Sequence, residues 1–169
     1  MDKQPKTNFS SIPIDLQRTN QWLNFGLNPN NPKQPSSPTN GFDGWQNHLT
    51  NFETARACAE LHGLGMGFAF CNQTEFFGID LDGCIDPANG AIEPWAQTIV
   101  DLVDGYTEVS MSMTGLKIIA RGHTTEKLQK LDYGDVKFGS HRQQCEFKTT
   151  SGFFALTGML HPQLRRTAS

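Results

Sequence analysis

Apolar and polar residues alternate cleanly in Phe76-Phe-Gly-Ile-Asp-Leu-Asp, where Phe77, Ile79 and Leu81 fall on one side and Asp80 and Asp82 on the other. A period of two is the mark of a half-buried strand. Gln21-Trp-Leu-Asn-Phe and Gly67-Phe-Ala-Phe-Cys also read as strands, as do Tyr106-Thr-Glu-Val-Ser-Met-Ser and Leu116-Lys-Ile-Ile-Ala-Arg. Cys145-Glu-Phe and Phe153-Phe-Ala-Leu-Thr complete the set. Two helices stand out. One runs from Asn51 to His62, with Asn51 or Thr50 as its cap and Gly63 as its stop; the other runs from Glu93 to Val103, with acid and proline in its first turn. Residues 28–44 are dense in Asn, Pro, Ser and Gly and predict a loop long enough to serve a substrate. Asn72-Gln-Thr-Glu predicts a hairpin between the strands on either side, and Met113-Thr-Gly predicts another. Residues 123–139 are polar and carry no clear period. The sum is about seven short strands and two helices with linkers too short for most crossovers, which predicts an α+β fold with a largely antiparallel sheet.

The length of 169 residues suits one domain, a core with a small subdomain at most, and the composition of 37% hydrophobic and 18% charged residues is that of a soluble globular protein. No apolar run is long enough for a membrane span, and the polar N-terminus lacks the apolar centre of a signal peptide, so a cytoplasmic protein without a membrane partner is expected. The boundaries expected are a flexible terminus over 1–10, a domain over 11–162 and a flexible tail over 163–169. Cys58, Cys71, Cys84 and Cys145 form no CxxC pair, which excludes a zinc ribbon or redox dithiol and predicts reduced thiols. The histidines show no metal-ligand spacing, and the aromatics Trp22, Trp45, Trp95, Phe153 and Phe154 are read first as core. Net charge is −3, but unevenly spread. Residues 1–116 hold 5 Lys/Arg against 13 Asp/Glu, whereas residues 117–169 hold 9 against 4. Such a chain has an acidic half suited to metal and a basic half suited to phosphate.

Asp80 and Asp82 are the sharpest chemical feature. Two carboxylates on one strand face raise each other's pKa, and Mg²⁺ or Mn²⁺ relieves that cost with the oxygen ligands it prefers. An EF-hand loop does not fit, since Gly83 stands fourth from Asp80 rather than sixth. Glu146, on a separate strand, supplies the third acid that a two-metal site needs. Ser110-Met-Ser-Met-Thr-Gly-Leu-Lys adds hydroxyls at Ser110 and Ser112, a tight turn at Gly115 and a cation at Lys117, a set of donors for phosphate oxygens. There is no P-loop motif, which excludes that class of ATPase.

In this order the segments resemble the bifunctional primase-polymerase domains of the archaeo-eukaryotic primase superfamily, in the form carried by phages, plasmids and other mobile elements. The resemblance covers roughly residues 11–160, from Ile12-Pro and Gln21-Trp-Leu through Gly44-Trp, Phe77-Gly-Ile-Asp-Leu-Asp-Gly-Cys and Ile92-Glu-Pro-Trp-Ala. It continues over Tyr106-Thr-Glu-Val-Ser-Met-Ser-Met-Thr-Gly-Leu-Lys, Glu146 and Gly152-Phe-Phe-Ala-Leu-Thr-Gly. It implies an RRM-like catalytic core beside an N-terminal α/β unit, and template-directed nucleotidyl transfer from NTP or dNTP by two divalent ions, Mg²⁺ or Mn²⁺. Asp80, Asp82 and Glu146 would be the catalytic metal ligands. Ser110, Ser112 and Lys117 would bind nucleotide, with Arg121 and Lys33 as further candidates, and Lys117 stands where the family commonly has histidine. Lysine keeps the charge but loses the planar, tunable imidazole. Single-stranded DNA template is the implied partner, tracked by the basic stretch from Lys127 to Lys148, together with a helicase in the same or a separate chain. Two other readings share these acids: a degenerate DNA- or nucleotide-binding replication module, and a metal-dependent nuclease.

Overall fold

A computed structural model describes residues 7–71, 75–123 and 130–164. The chain divides into two compact units, one made of residues 1–74 and 150–158 and the other of residues 75–149 and 159–169.

The first unit is built around a sheet of four antiparallel strands. After a short helix α1 (Ile14–Gln17) come β1 (Trp22–Phe25) and β2 (Pro35–Ser36), helix α2 (Phe52–His62), β3 (Gly65–Ala69) and, after the excursion into the other unit, β9 (Phe153–Leu156). Their order is β2-β1-β3-β9. The predicted caps of α2 both form: the Asn51 side chain accepts from the Thr54 N–H at 2.8 Å, and Gly63 ends the helix in the left-handed conformation at φ 67°. Trp22, Leu23, Phe68 and Phe154 are fully or almost fully buried, and Phe153 meets Trp45 edge-on at 5.7 Å. The aromatics therefore serve the core, as expected. One expectation changes. The polar 28–44 segment is not all loop, because β2 pairs with β1 through Asn24↔Ser36 and Phe25↔Pro35. Thr7 also joins this unit: it is buried, and its hydroxyl donates to the Leu156 carbonyl at 2.9 Å and accepts from the Met66 N–H at 3.2 Å.

The second unit holds a five-stranded antiparallel sheet. Its elements are β4 (Phe76–Asp82), α3 (Pro94–Leu102), β5 (Gly105–Val109), β6 (Leu116–Arg121), β7 (Leu131–Val136) and β8 (Arg142–Lys148), in the order β5-β6-β4-β8-β7. β4 and β5 both run antiparallel to β6 and so are parallel to each other, linked by α3 with β6 between them. This is a split β-α-β unit. One face of the sheet carries Ile79, Leu81, Val109, Leu116, Ile118 and Cys145, packed with Ala96 and Val100 of α3. Pro94 sits at the start of α3, where its missing N–H costs nothing.

The hairpin expected between β3 and β4 is absent. β3 is paired on both edges by β1 and β9, and β4 on both edges by β6 and β8, so neither has a free edge for the other. The expected β5–β6 hairpin forms, with Val109↔Leu116 as its last pair. β7 went unread because it is an exposed outer strand held by β8 through an irregular register, and nothing drives it to alternate. Toward the C-terminal end, Pro162–Leu164 forms a turn of 3₁₀ helix and Leu164 packs on the core of this unit. No helix among the described residues is long and apolar enough to cross a membrane.

All four cysteines are free thiols; Cys71, Cys84 and Cys145 are buried and Cys58 half-buried. Burial pushes the Cys84 thiol up to about 12 and the Cys145 thiol up to about 11. Thiolate is the reactive form. At about pH 8 a thiol-exchange reagent should therefore modify roughly one cysteine, Cys58, in the native protein. The rest should react only after denaturation, and peptide mapping showing early modification at Cys84 would contradict this packing.

Candidate functional site

The face of the second sheet opposite the apolar core carries its charge. In β4, the side chains of Asp80 and Asp82 point away from the face formed by Ile79 and Leu81. The register then brings partners from both neighbours. Asp80 is directly opposite Lys117 of β6 and Glu146 of β8, Asp82 is opposite Gln144, and Lys117 is opposite Glu108 of β5. Residues opposite one another in antiparallel strands share a face with Cβ atoms about 5 Å apart. A row Glu108–Lys117–Asp80–Glu146 therefore crosses four adjacent strands. The three acids expected to act together, Asp80, Asp82 and Glu146, lie on this one face.

Each is already engaged. The Lys117 ammonium stands 3.4 Å from Asp80 Oδ2, with both side chains largely buried. Lys148 Nζ donates to Glu146 Oε1 at 2.9 Å, and Gln144 Nε2 donates to Asp82 Oδ2 at 2.9 Å. Burial holds the Asp80 carboxyl above its ordinary pKa, with the like charge of Asp82 adding to the shift, and the ammonium of Lys117 offsets this only in part. The hydrogen bond from Lys148 instead holds Glu146 below the usual range. Two acids on one face are thus tuned in opposite directions by burial and by a partner.

The expected phosphate turn lies at the end of β4. Ser110, Ser112 and Thr114 form a chain of hydroxyls, with Oγ–Oγ contacts of 2.9 and 3.1 Å. The Thr114 carbonyl accepts from the N–H groups of Cys84 and Ile85 at 2.8 and 3.0 Å, which ties the turn to the backbone just past Asp82. Gly115 makes this approach feasible: a Cβ there would stand 2.7 Å from the Leu81 carbonyl oxygen. Met113 takes φ 64°, the one non-glycine residue with positive φ among the described residues.

Other expected residues are placed differently. Arg121 is opposite Phe76, four residues along β4 from Asp80, or about 13 Å at the rise of a strand. There it pairs with Glu75 and covers the Phe76 ring at 4.9 Å from the ring centre. It is not part of the acid row. Lys33 is exposed, in the turn between β1 and β2, and belongs to the first unit. Within the basic stretch, Lys127 lies outside the described residues, Lys137 pairs with Glu93 at 2.9 Å, and Arg142 pairs with Asp132 and Asp135 at 2.9 and 3.1 Å. Those cations already have carboxylate partners.

Three residues of this face escaped sequence reasoning: Glu108, Gln144 and Lys148 in its role as partner to Glu146. The signal was present in the period of two, which sets Tyr106 and Glu108 on one face of β5 and Gln144, Glu146 and Lys148 on one face of β8. What was missing was the register joining those strands to β4.

The donor set can be weighed against a divalent cation. Three carboxylates on one face offer the hard oxygen ligands that Mg²⁺ or Mn²⁺ takes, and the raised pKa of Asp80 means that its negative charge is under-compensated. In kind, the residues fit. In placement, no group of three or more His, Cys, Asp or Glu among the described residues is gathered to hold an ion. Lys117 and Lys148 hold two of the three acids, and an ion would compete with those ammonium groups.

The Asp80 shift has a consequence for stability. The folded protein binds this proton more tightly than the unfolded chain does, so stability falls as pH rises from the unfolded pKa through the folded one. Above the folded pKa the whole penalty is present. Asp80→Asn should therefore stabilise the metal-free protein at neutral pH, with an advantage that shrinks in acid. Thermal melts in chelator across that range check this, and an advantage constant with pH would refute the desolvation account.

No protein-family model matches the chain and no curated protein matches it, so the functional reading rests on this face of the sheet.

Proposed function

We propose that this protein is a primase-polymerase that performs template-directed nucleotidyl transfer at the Asp80–Asp82–Glu146 face. The observation that carries the reading is the strand register, in which β6 and β8 bring Lys117 and Glu146 to either side of Asp80. A split β-α-β unit, within a sheet whose central strand β4 bears the two aspartates, is also what an RRM-like core would need. Asp80, Asp82 and Glu146 would hold Mg²⁺ or Mn²⁺. When bound, such ions supply Lewis acidity, lowering the pKa of an attacking hydroxyl and neutralising the leaving pyrophosphate.

The chain's own residues have distinct parts in this scheme. Asp80 and Asp82, one strand period apart, present carboxylates from a rigid central strand rather than from a loop, which fixes their spacing. The hydroxyls of Ser110 and Ser112 donate to the triphosphate of NTP or dNTP from the turn tied to the end of β4. Lys117 supplies positive charge beside the acids. Arg121 is left out of the set because its position along the strand and its pairing with Glu75 remove it from the acids. A single-stranded DNA template and a helicase acting with this chain, in the same or another polypeptide, belong to the proposal.

A second reading is favoured by one observation: Lys117 and Lys148 neutralise Asp80 and Glu146 without a metal. A DNA- or nucleotide-binding module that makes no product would need no more than this. Incubation with single-stranded template, NTP or dNTP, and Mn²⁺ or Mg²⁺ separates the two. The proposal expects labelled product, and a loss of about a hundredfold or more in Asp80→Ala or Asp82→Ala, the scale of losing one charge-stabilising group at a transition state. Template binding without product would favour the module, and template degradation in place of synthesis would favour a nuclease.

A further inference from the structure

The second sheet ends in two outer strands, β7 and β5, and they differ. β7 is held to β8 through an irregular register and carries Asp132 and Asp135, both paired with Arg142. Bulges and charges of this kind discourage a sheet from pairing further. β5 keeps an unbroken register with β6, from Gly105↔Ala120 to Val109↔Leu116, and contains no lysine, arginine or proline. Two hydrogen bonds fix which of its backbone groups face outward. The Ser110 N–H donates to the Gly115 carbonyl at 2.9 Å, on the β6 side, and the Val109 N–H donates the other way, to the Met159 carbonyl at 2.7 Å. Antiparallel pairing alternates the two directions residue by residue. Thr107 and Gly105 therefore turn their N–H and C=O groups outward, about 7 Å apart along the strand. Among the described residues these groups are met only by the Thr107 hydroxyl, which reaches the Gly105 carbonyl at 3.5 Å.

Met159 makes one rung with β5, and the chain then turns away into the 3₁₀ turn at Pro162–Leu164. Between them lies a groove of about 360 Å³. Gly105 and Thr107 form one wall, Val100 and Val103 at the end of α3 another, and Leu160 and Leu164 a third. Backbone groups at the strand repeat beside apolar walls suit an extended peptide, which adds a strand and sends alternate side chains into the groove. Charge narrows the kind of peptide. No lysine or arginine occurs between Arg56 and Lys117, and none in 159–164, so the elements that line the groove have none. Asp101 is exposed at the rim and accepts from the neutral amide of Gln97 at 2.8 Å. The last turn of α3 also ends here without a basic residue, and its carbonyls add partial negative charge. A cation at this end of the groove has to come from the partner.

We propose that the outer edge of β5 takes a short basic peptide of a partner protein as an added strand. An apolar side chain of the peptide enters the groove, and a lysine or arginine two residues along meets Asp101 and the end of α3. The proposal stands on this edge alone and does not depend on the polymerase reading.

The probes are fluorescein-labelled pentapeptides Thr-X-Thr-Lys-Thr, with valine, isoleucine or leucine at X, titrated against the full chain at low salt by fluorescence anisotropy. At least one of them should bind. Replacing its lysine by glutamate should weaken binding about tenfold, because like charges then meet at the rim. Methylating the peptide amides that face β5 should cost about fivefold or more through lost ladder bonds. In the protein, Asp101→Asn should cost about threefold, the scale of an exposed charge pair. Thr107→Pro removes an outward N–H and leaves the β6 ladder intact, as proline does on an outer strand, and should cost about fivefold. Thr107→Val keeps that N–H and should stay within about twofold of wild type. Melting curves confirm folding, and if Thr107→Pro does not fold, the methylated peptide tests the same bonds from the other side. No binding by any of the three peptides, or binding indifferent to methylation and to Thr107→Pro, overturns the proposal. Sedimentation as a dimer that Thr107→Pro disperses would also overturn it, by giving the edge to a second copy. So would peptide binding that appears only after residues 165–169 are removed, which would give the edge to the chain's own tail.

Discussion

β4 lies at the centre of an antiparallel sheet with one face apolar and the other charged, and much of the second unit follows from that constraint. Ile79 and Leu81 are drawn into the core with Leu116, Ile118 and Cys145. A slip of one residue would expose them and bury Asp80 and Asp82 among hydrocarbon, so burial on one face locks the register on the other. That lock sets Lys117, Glu146 and Gln144 opposite the two acids. The packing of the core and the geometry of the charged row are consequences of the same alternation.

The row also shows how a fold tolerates charge in a dry place. Asp80 is costly enough that its proton is held more firmly than usual even with an ammonium beside it. Glu146, more exposed and hydrogen-bonded by Lys148, is tuned in the other direction. Glu108 is enclosed, with the Tyr106 hydroxyl upon it and Lys117 opposite.

Much of this was legible in the chain. The caps of α2, the proline start of α3, the alternation of β4 and the β5–β6 turn depend on neighbours a few residues apart, and each appears where local chemistry puts it. β7 and the two-residue β2 were not legible, because an exposed outer strand and a short pairing in a proline-rich segment leave no periodic trace. The hairpin expected between β3 and β4 failed for a different reason. Adjacency in sequence suggested pairing, but each strand had both edges filled by others.

Asp80 and Asp82 could be singled out from the sequence because acids at alternate positions of an apolar strand are electrostatically conspicuous, and Glu146 only as a third acid to accompany them. Their coming together, the removal of Arg121 from their company, and the enclosure of Glu108 beside Lys117 were decided by tertiary structure alone. Period two determines which face a side chain takes. Which strands lie beside it, and in what register, depends on contacts between residues as far apart as Asp80 and Glu146, and no local pattern encodes those.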